Sequence, residues 1–177
     1  MTLDEAIHFI EQDDLCTGFL REGSRVFPEG TPLDVIRFFN YFERADLFQQ
    51  LVYNGSEVAG SRGKVNTLDL QPDFGESVFV RTVSDMHGEE VDDPHYPNYL
   101  PFKNCYQIGF LGAGNHQILL DLNGTTPRLI DFFFYPCIEY DECVELGVPF
   151  TDWIGGHLSF GPDRSFYNFV RFGDETP

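Results

Sequence analysis

Between residues 99 and 134 the chain alternates apolar runs with glycine-bearing turns, and this pattern restricts the fold more than any other feature. Residues 106–110, 117–122 and 128–134 are separated by Gly112-Ala113-Gly114-Asn115 and by Asn123-Gly124-Thr125-Thr126. Gaps this short join antiparallel neighbours, and Asn-Gly is the strongest short hairpin signal. Strand side chains alternate between faces. Ile118, Leu120, Leu129 and Phe133 are therefore expected to share one buried face.

The segments before the meander read as helical. Thr2 and Glu5 have the spacing of a capping box. It opens a helix expected over residues 2–19, with Asp13-Asp14 and Gly18 as possible breaks. Thr31-Pro32 is a second start signal, with Thr31 as the cap. Leu33, Ile36, Phe39, Phe42, Leu47, Phe48 and Leu51 recur near helical spacing and predict a helix reaching Asn54-Gly55. Residues 64–70 and 78–83 read as strands. Residues 140–146 suggest a short helix, and another opens at Pro149, with Gly155-Gly156 ending or kinking it. The aromatic tail 165–172 adds a strand or lies on the core. Helices followed by a meander give an α+β class, with the N-terminal helices on one face of an antiparallel sheet. The whole chain, 1–177, is expected to be one domain, and the polar stretch 85–98 a surface insertion.

Composition narrows the function classes. Nineteen Phe supply a core without polar atoms to satisfy. The formal net charge is -18, from 29 acidic and 11 basic residues. That balance opposes binding to nucleic acid or to an anionic membrane and steers the protein toward basic partners. No basic region followed by an apolar run opens the chain, and no apolar stretch is long enough to span a bilayer. The four cysteines form no CxxC pattern and read as reduced thiols, so a cytoplasmic location is expected.

At the meander the sequence becomes specific enough to compare. Tyr99-Leu100-Pro101-Phe102, Gly109, Gly112-Ala113-Gly114-Asn115-His116 and Ile118 through Gly124 form one progression. Arg128 through Phe134 and the acidic, aromatic Val148 through Ile154 follow it. Together they resemble the SUKH superfamily over residues 99–154. The resemblance implies an α+β protein-binding domain without catalytic activity. In bacteria it implies an immunity-type protein that binds and neutralises a polymorphic toxin, and in fungi a cell-wall-signalling scaffold. The chain is longer than a minimal member, and 85–98 looks inserted. The expected partner is a basic, nuclease-like toxin domain. The alternatives are an intracellular scaffold or regulator of the same fold and a metal-dependent hydrolase.

Several constellations bear on chemistry. Asp85, His87, Glu89, Glu90, Asp92, Asp93 and His95 form the richest polar cluster. Its spacing matches neither an EF-hand nor HExxH. A solvated loop, a partner-binding loop and a metal site are its three readings. Asp85, Glu89, Glu90, Asp92 and Asp93 are the candidate partner-binding residues, with no metal or cofactor expected. Trp153, the single Trp, is a core residue or an interface anchor. Gly109, Gly112 and Gly114 precede a strand rather than a helix, so they read as turn glycines and not as a phosphate cradle. Cys105 with His116, and Asp152 with His157, are weak catalytic pairs.

Overall fold

A computed structural model describes residues 1–48, 68–79, 97–111, 116–133 and 143–160. The first helix, α1 (Leu3–Gln12), begins at the expected capping box. The Thr2 hydroxyl accepts the Glu5 N–H at 3.3 Å, and the Glu5 carboxylate accepts the Thr2 N–H at 2.7 Å. Leu3, Ala6 and Ile10 form its buried stripe. The helix stops at Asp13, whose carboxylate accepts the Leu15 N–H at 2.8 Å in a side-chain turn.

The chain from Cys16 onward is extended, not helical as the sequence suggested. β1 (Cys16–Leu20) pairs antiparallel with β2 (Phe42–Leu47). The second expected helix is also shorter. α2 covers Leu33–Tyr41 and passes without a turn into β2, where Phe42 is already extended. Helical propensity over 42–47 loses to pairing on both sides, with β1 and with β3 (Leu68–Leu70). Gly18 lies against Phe42, and a Cβ at Gly18 would meet the Phe42 ring at 2.3 Å. α2 also starts without a side-chain cap, and the Thr31 hydroxyl donates to the Pro28 carbonyl instead.

The meander appears as expected: β4 (Cys105–Leu111), β5 (His116–Asp121) and β6 (Arg128–Phe133), followed by β7 (Val144–Glu145). A 3-10 helix, Pro97–Asn104, leads into β4. Among the described residues the sheet has seven strands in sequential order, β1 to β7, each antiparallel to its neighbour. The fold is α+β.

Three further expectations change. Val144 and Glu145 pair with β6 rather than ending a helix. Val78 and Phe79 are helical, where a strand was expected to start. α3 (Phe150–Phe160) runs through Gly155 and Gly156. Gly155 is tolerated because a Cβ there would meet Met1 at 3.0 Å, so its lack of a side chain lets the N-terminus approach. The expected strand segments 64–67 and 80–83, the helix end at Asn54-Gly55, the turn 112–115, residues 85–96 of the insertion and the tail 165–172 lie outside the described residues.

Among the described residues the core has two parts. Residues of α1, α2 and α3, including Ile10, Phe38, Phe39, Phe150 and Trp153, form one cluster with Leu47, Leu68, Leu70, Ile118, Leu120 and Leu129. Phe38 anchors it, with ring contacts of 5.1 Å to Phe39 and 5.3 Å to both Phe42 and Phe150. Ile118, Leu120 and Leu129 thus share a buried face, as alternation predicts. Phe133 stands opposite His116 in the register. Val78, Phe79 and Phe102 form a second cluster with Cys105, Leu119, Ile130 and Phe132, the intervening strand positions.

Candidate functional site

The register aligns a row across the sheet: Thr17, Asp46, Asp69, Phe110, Gln117 and Phe132. Its notable members are the carboxylates Asp46 and Asp69, directly opposite on β2 and β3. Like charges in that position repel. Burial, then the hydrogen bond to Asp69 and its charge, raise the Asp46 pKa from 3.8 to about 7, while the Arg44 guanidinium opposes the rise. Arg44 stands 3.6 Å from Asp46 and lies over the Phe19 ring at 4.0 Å.

A group whose pKa is raised on folding stabilises the fold when protonated. That contribution is fully present below pH 3.8 and is lost as pH rises through about 7. Asp46→Asn is therefore expected to gain denaturant resistance relative to the native protein as pH rises from about 4 to about 8, then level off. Chemical denaturation of both proteins across that range is the check, and a pH-independent difference would contradict it.

A second polar centre closes the meander. Asp121 is 0% exposed at the end of β5. Its carboxylate accepts hydrogen bonds from the Arg128 guanidinium, the Asn123 N–H at 2.9 Å and the Asn123 amide at 2.8 Å. The Cys105 thiol donates to it at 3.6 Å. Arg128 also reaches Glu145 at 3.2 Å, which ties β7 to the meander. Beside this network runs a groove of about 380 Å³, with Val35, Leu129, Val148 and Phe150 among its apolar walls and Arg128 and Glu145 among its polar ones. Asp34 stands where two helices begin. It accepts the Val35 N–H at 2.9 Å within α2, and the Thr151 N–H and hydroxyl at 3.1 and 2.9 Å from α3. A carboxylate at two helix N-termini is favoured by both dipoles.

The expected site residues fall differently. Asp85, Glu89, Glu90, Asp92 and Asp93 lie outside the described residues. Trp153 is 0% exposed and packs on Phe150 and His157, so of its two readings the structure shows the core one and corrects the interface anchor. Cys105 and His116 sit on neighbouring strands, but at opposite ends: Cys105 faces Asp121 and His116 faces Leu111. Burial and then the Asp121 charge push the Cys105 thiol pKa upward, which is unfavourable for a nucleophile. Burial likewise pushes Cys16 to about 12. Asp152 is exposed while His157 is fully buried, so those two do not form an acid–base pair. Gly109 is a close-approach glycine, since a Cβ there would meet the Asp69 carbonyl oxygen at 2.6 Å.

Sequence reasoning missed the Asp46–Asp69 pair and the Asp34–Thr151 link. Asp69 between Leu68 and Leu70 does signal the non-core face of a strand. Asp46 was hidden by the helix expected there. Among the described residues no group of three or more metal-ligating side chains occurs, and no helix is long and apolar enough to cross a membrane. No family model, curated protein or solved structure matches the chain.

Proposed function

We propose that the protein is a cytoplasmic binding module of the immunity type, which captures a basic toxin domain and blocks it. The observation that carries this reading is the disposition of charge. The chain has a net charge of -18, and each arginine of the described residues is ion-paired to a carboxylate: Arg21 and Arg25 to Glu43, Arg37 to Asp4, Arg44 to Asp46, and Arg128 to Asp121 and Glu145. These five arginines are paired internally, and the excess of acids leaves a field that speeds encounter with a cationic surface. The SUKH-like progression of the meander supports the same reading. The mechanism is steric and electrostatic, with no bond made or broken.

Co-expression with the product of the neighbouring reading frame tests this. Relief of that product's toxicity, with a complex that survives purification, is the expected result. A stable complex with a non-toxic partner would favour the scaffold reading. Asp85, Glu89, Glu90, Asp92 and Asp93 are proposed to contribute to the encounter. Glu90→Lys with Asp93→Lys is expected to slow association by about tenfold and flatten its salt dependence, leaving stability unchanged. Association rates measured against ionic strength are the check, and unchanged rates and slopes would remove these acids from the interface.

A further inference from the structure

We propose that the outer edge of β1 is a docking edge for an extended, basic segment of the partner, which adds to the sheet as a further strand. The proposal rests on the basic-partner reading above and names the surface and backbone form by which such a partner is held.

Among the described residues β1 is a terminal strand of the sheet and pairs on one side only, with β2. The pairing shows which of its groups face outward. The Phe48 N–H donates to the Leu15 carbonyl at 2.8 Å, so residues 15 and 48 form a hydrogen-bonded pair. Such pairs alternate along an antiparallel ladder. Thr17 with Asp46 and Phe19 with Arg44 therefore bond inward. The N–H and C=O of Gly18 and the C=O of Cys16 are left on the outer edge, while the Cys16 N–H is taken by Asp13 at 3.1 Å.

Natural edges are usually blunted by charge, proline or brevity. β1 reads Cys-Thr-Gly-Phe-Leu, with no charge and no proline over five residues. β7, at the other end of the sheet, has two residues. Apolar exposure also gathers at this end. Phe19 is 38% exposed and Leu20 63%. An incoming strand supplies main-chain hydrogen bonds for affinity and alternate side chains for these apolar positions.

Charge selects the occupant. Asp13 and Asp14 precede the strand, and Glu22 follows it after Arg21, whose charge is paired with Glu43. A second copy of the chain paired antiparallel about Gly18, the midpoint of β1, would set Glu22 against Asp14 of the other copy. Like charges directly opposite disfavour such pairing, and two chains each carrying -18 repel at longer range. A strand with lysine or arginine at both ends meets the acidic flanks instead.

The test uses the full chain and a synthetic peptide of alternating valine and threonine flanked by lysines. It is compared with the same peptide N-methylated at alternate residues and with a glutamate-flanked version. Amide NMR shifts locate binding, and calorimetry measures it. The expected result is that shifts centre on Cys16, Gly18 and Leu20, that N-methylation weakens binding at least about tenfold, and that the glutamate version does not bind. Leu20→Lys, at an exposed position that leaves the core intact, is expected to weaken the lysine peptide by about fivefold. Equal binding of the methylated and unmethylated lysine peptides would overturn the edge and leave the basic-partner reading standing. Equal binding of the lysine and glutamate versions, with shifts on β1, would overturn the charge selection and the basic-partner reading while keeping the edge. Dimers in sedimentation that dissociate on Leu20→Lys would assign the edge to a second copy and overturn the proposal.

Discussion

Arg128→Met is expected to destabilise the fold by about 3 kcal/mol, because it strands a carboxylate that water cannot reach. Asp121 is fully buried, and the Arg128 guanidinium bonded to it is 38% exposed. Breaking a buried pair by removing one partner costs more than the pair contributes, since the remaining charge keeps its desolvation penalty. The partial exposure of Arg128 places the loss at the lower end of the usual 3–5 kcal/mol range. Loss of the Arg128–Glu145 contact at 3.2 Å adds little, because Glu145 is half exposed. Adding Asp121→Asn should recover much of the loss by removing the stranded charge. Urea denaturation of the two single variants and the double variant gives the coupling energy. A loss below about 1 kcal/mol for Arg128→Met alone would show that neutral donors such as Asn123 hold the charge by themselves.

Residues that carry local information were legible, and those that depend on distant pairing were not. The Thr2–Glu5 box is a four-residue signal, and it forms as written. The meander was legible because apolar alternation and the Asn123-Gly124 turn lie within one short window. Residues 42–47 were misread because Ile36, Phe39 and Phe42 are three apart and Leu47, Phe48 and Leu51 continue near that spacing, which a helix also satisfies. What decides their state is a pairing with residues 16–20 and 68–70, more than twenty positions away. Asp46 and Asp69 could meet only once that register existed, so no local pattern announced them. Gly155-Gly156 looked like a helix end because glycine disfavours helix by about 1 kcal/mol each. The approach of Met1 to Gly155 is a tertiary fact invisible in the window around them. Trp153 was legible only as large and apolar, which fits core and anchor equally until its neighbours are known.

The protein is expected to lose about 3 kcal/mol of stability between neutral pH and about pH 4 through one side chain, His157. This histidine is 0% exposed on α3, with its ring edge-on to Trp153 at a centroid distance of 5.2 Å. Burial depresses its pKa from 6.5 to about 3. The unfolded chain takes up a proton below about 6.5 while the folded chain does not, so stability falls as pH falls. The effect is absent above pH 6.5, grows by roughly 1.4 kcal/mol for each pH unit below it, and saturates near the folded value of about 3. Asp46 acts in the same window with the opposite sign, since its raised pKa favours the folded state as pH drops below about 7. The observed pH profile of the native protein is therefore flatter than either group alone would make it. A comparison isolates the histidine. His157→Leu keeps an apolar side chain against Trp153 and has nothing to protonate, while Asp46 and the other carboxylates stay as they are. The stability difference between the variant and the native protein should then slope with pH below about 6.5 and run level above it. Denaturation midpoints measured at intervals from about pH 4 to about pH 8 supply that difference directly. A difference that stays constant across the range would mean that the His157 imidazole accepts its proton inside the folded core.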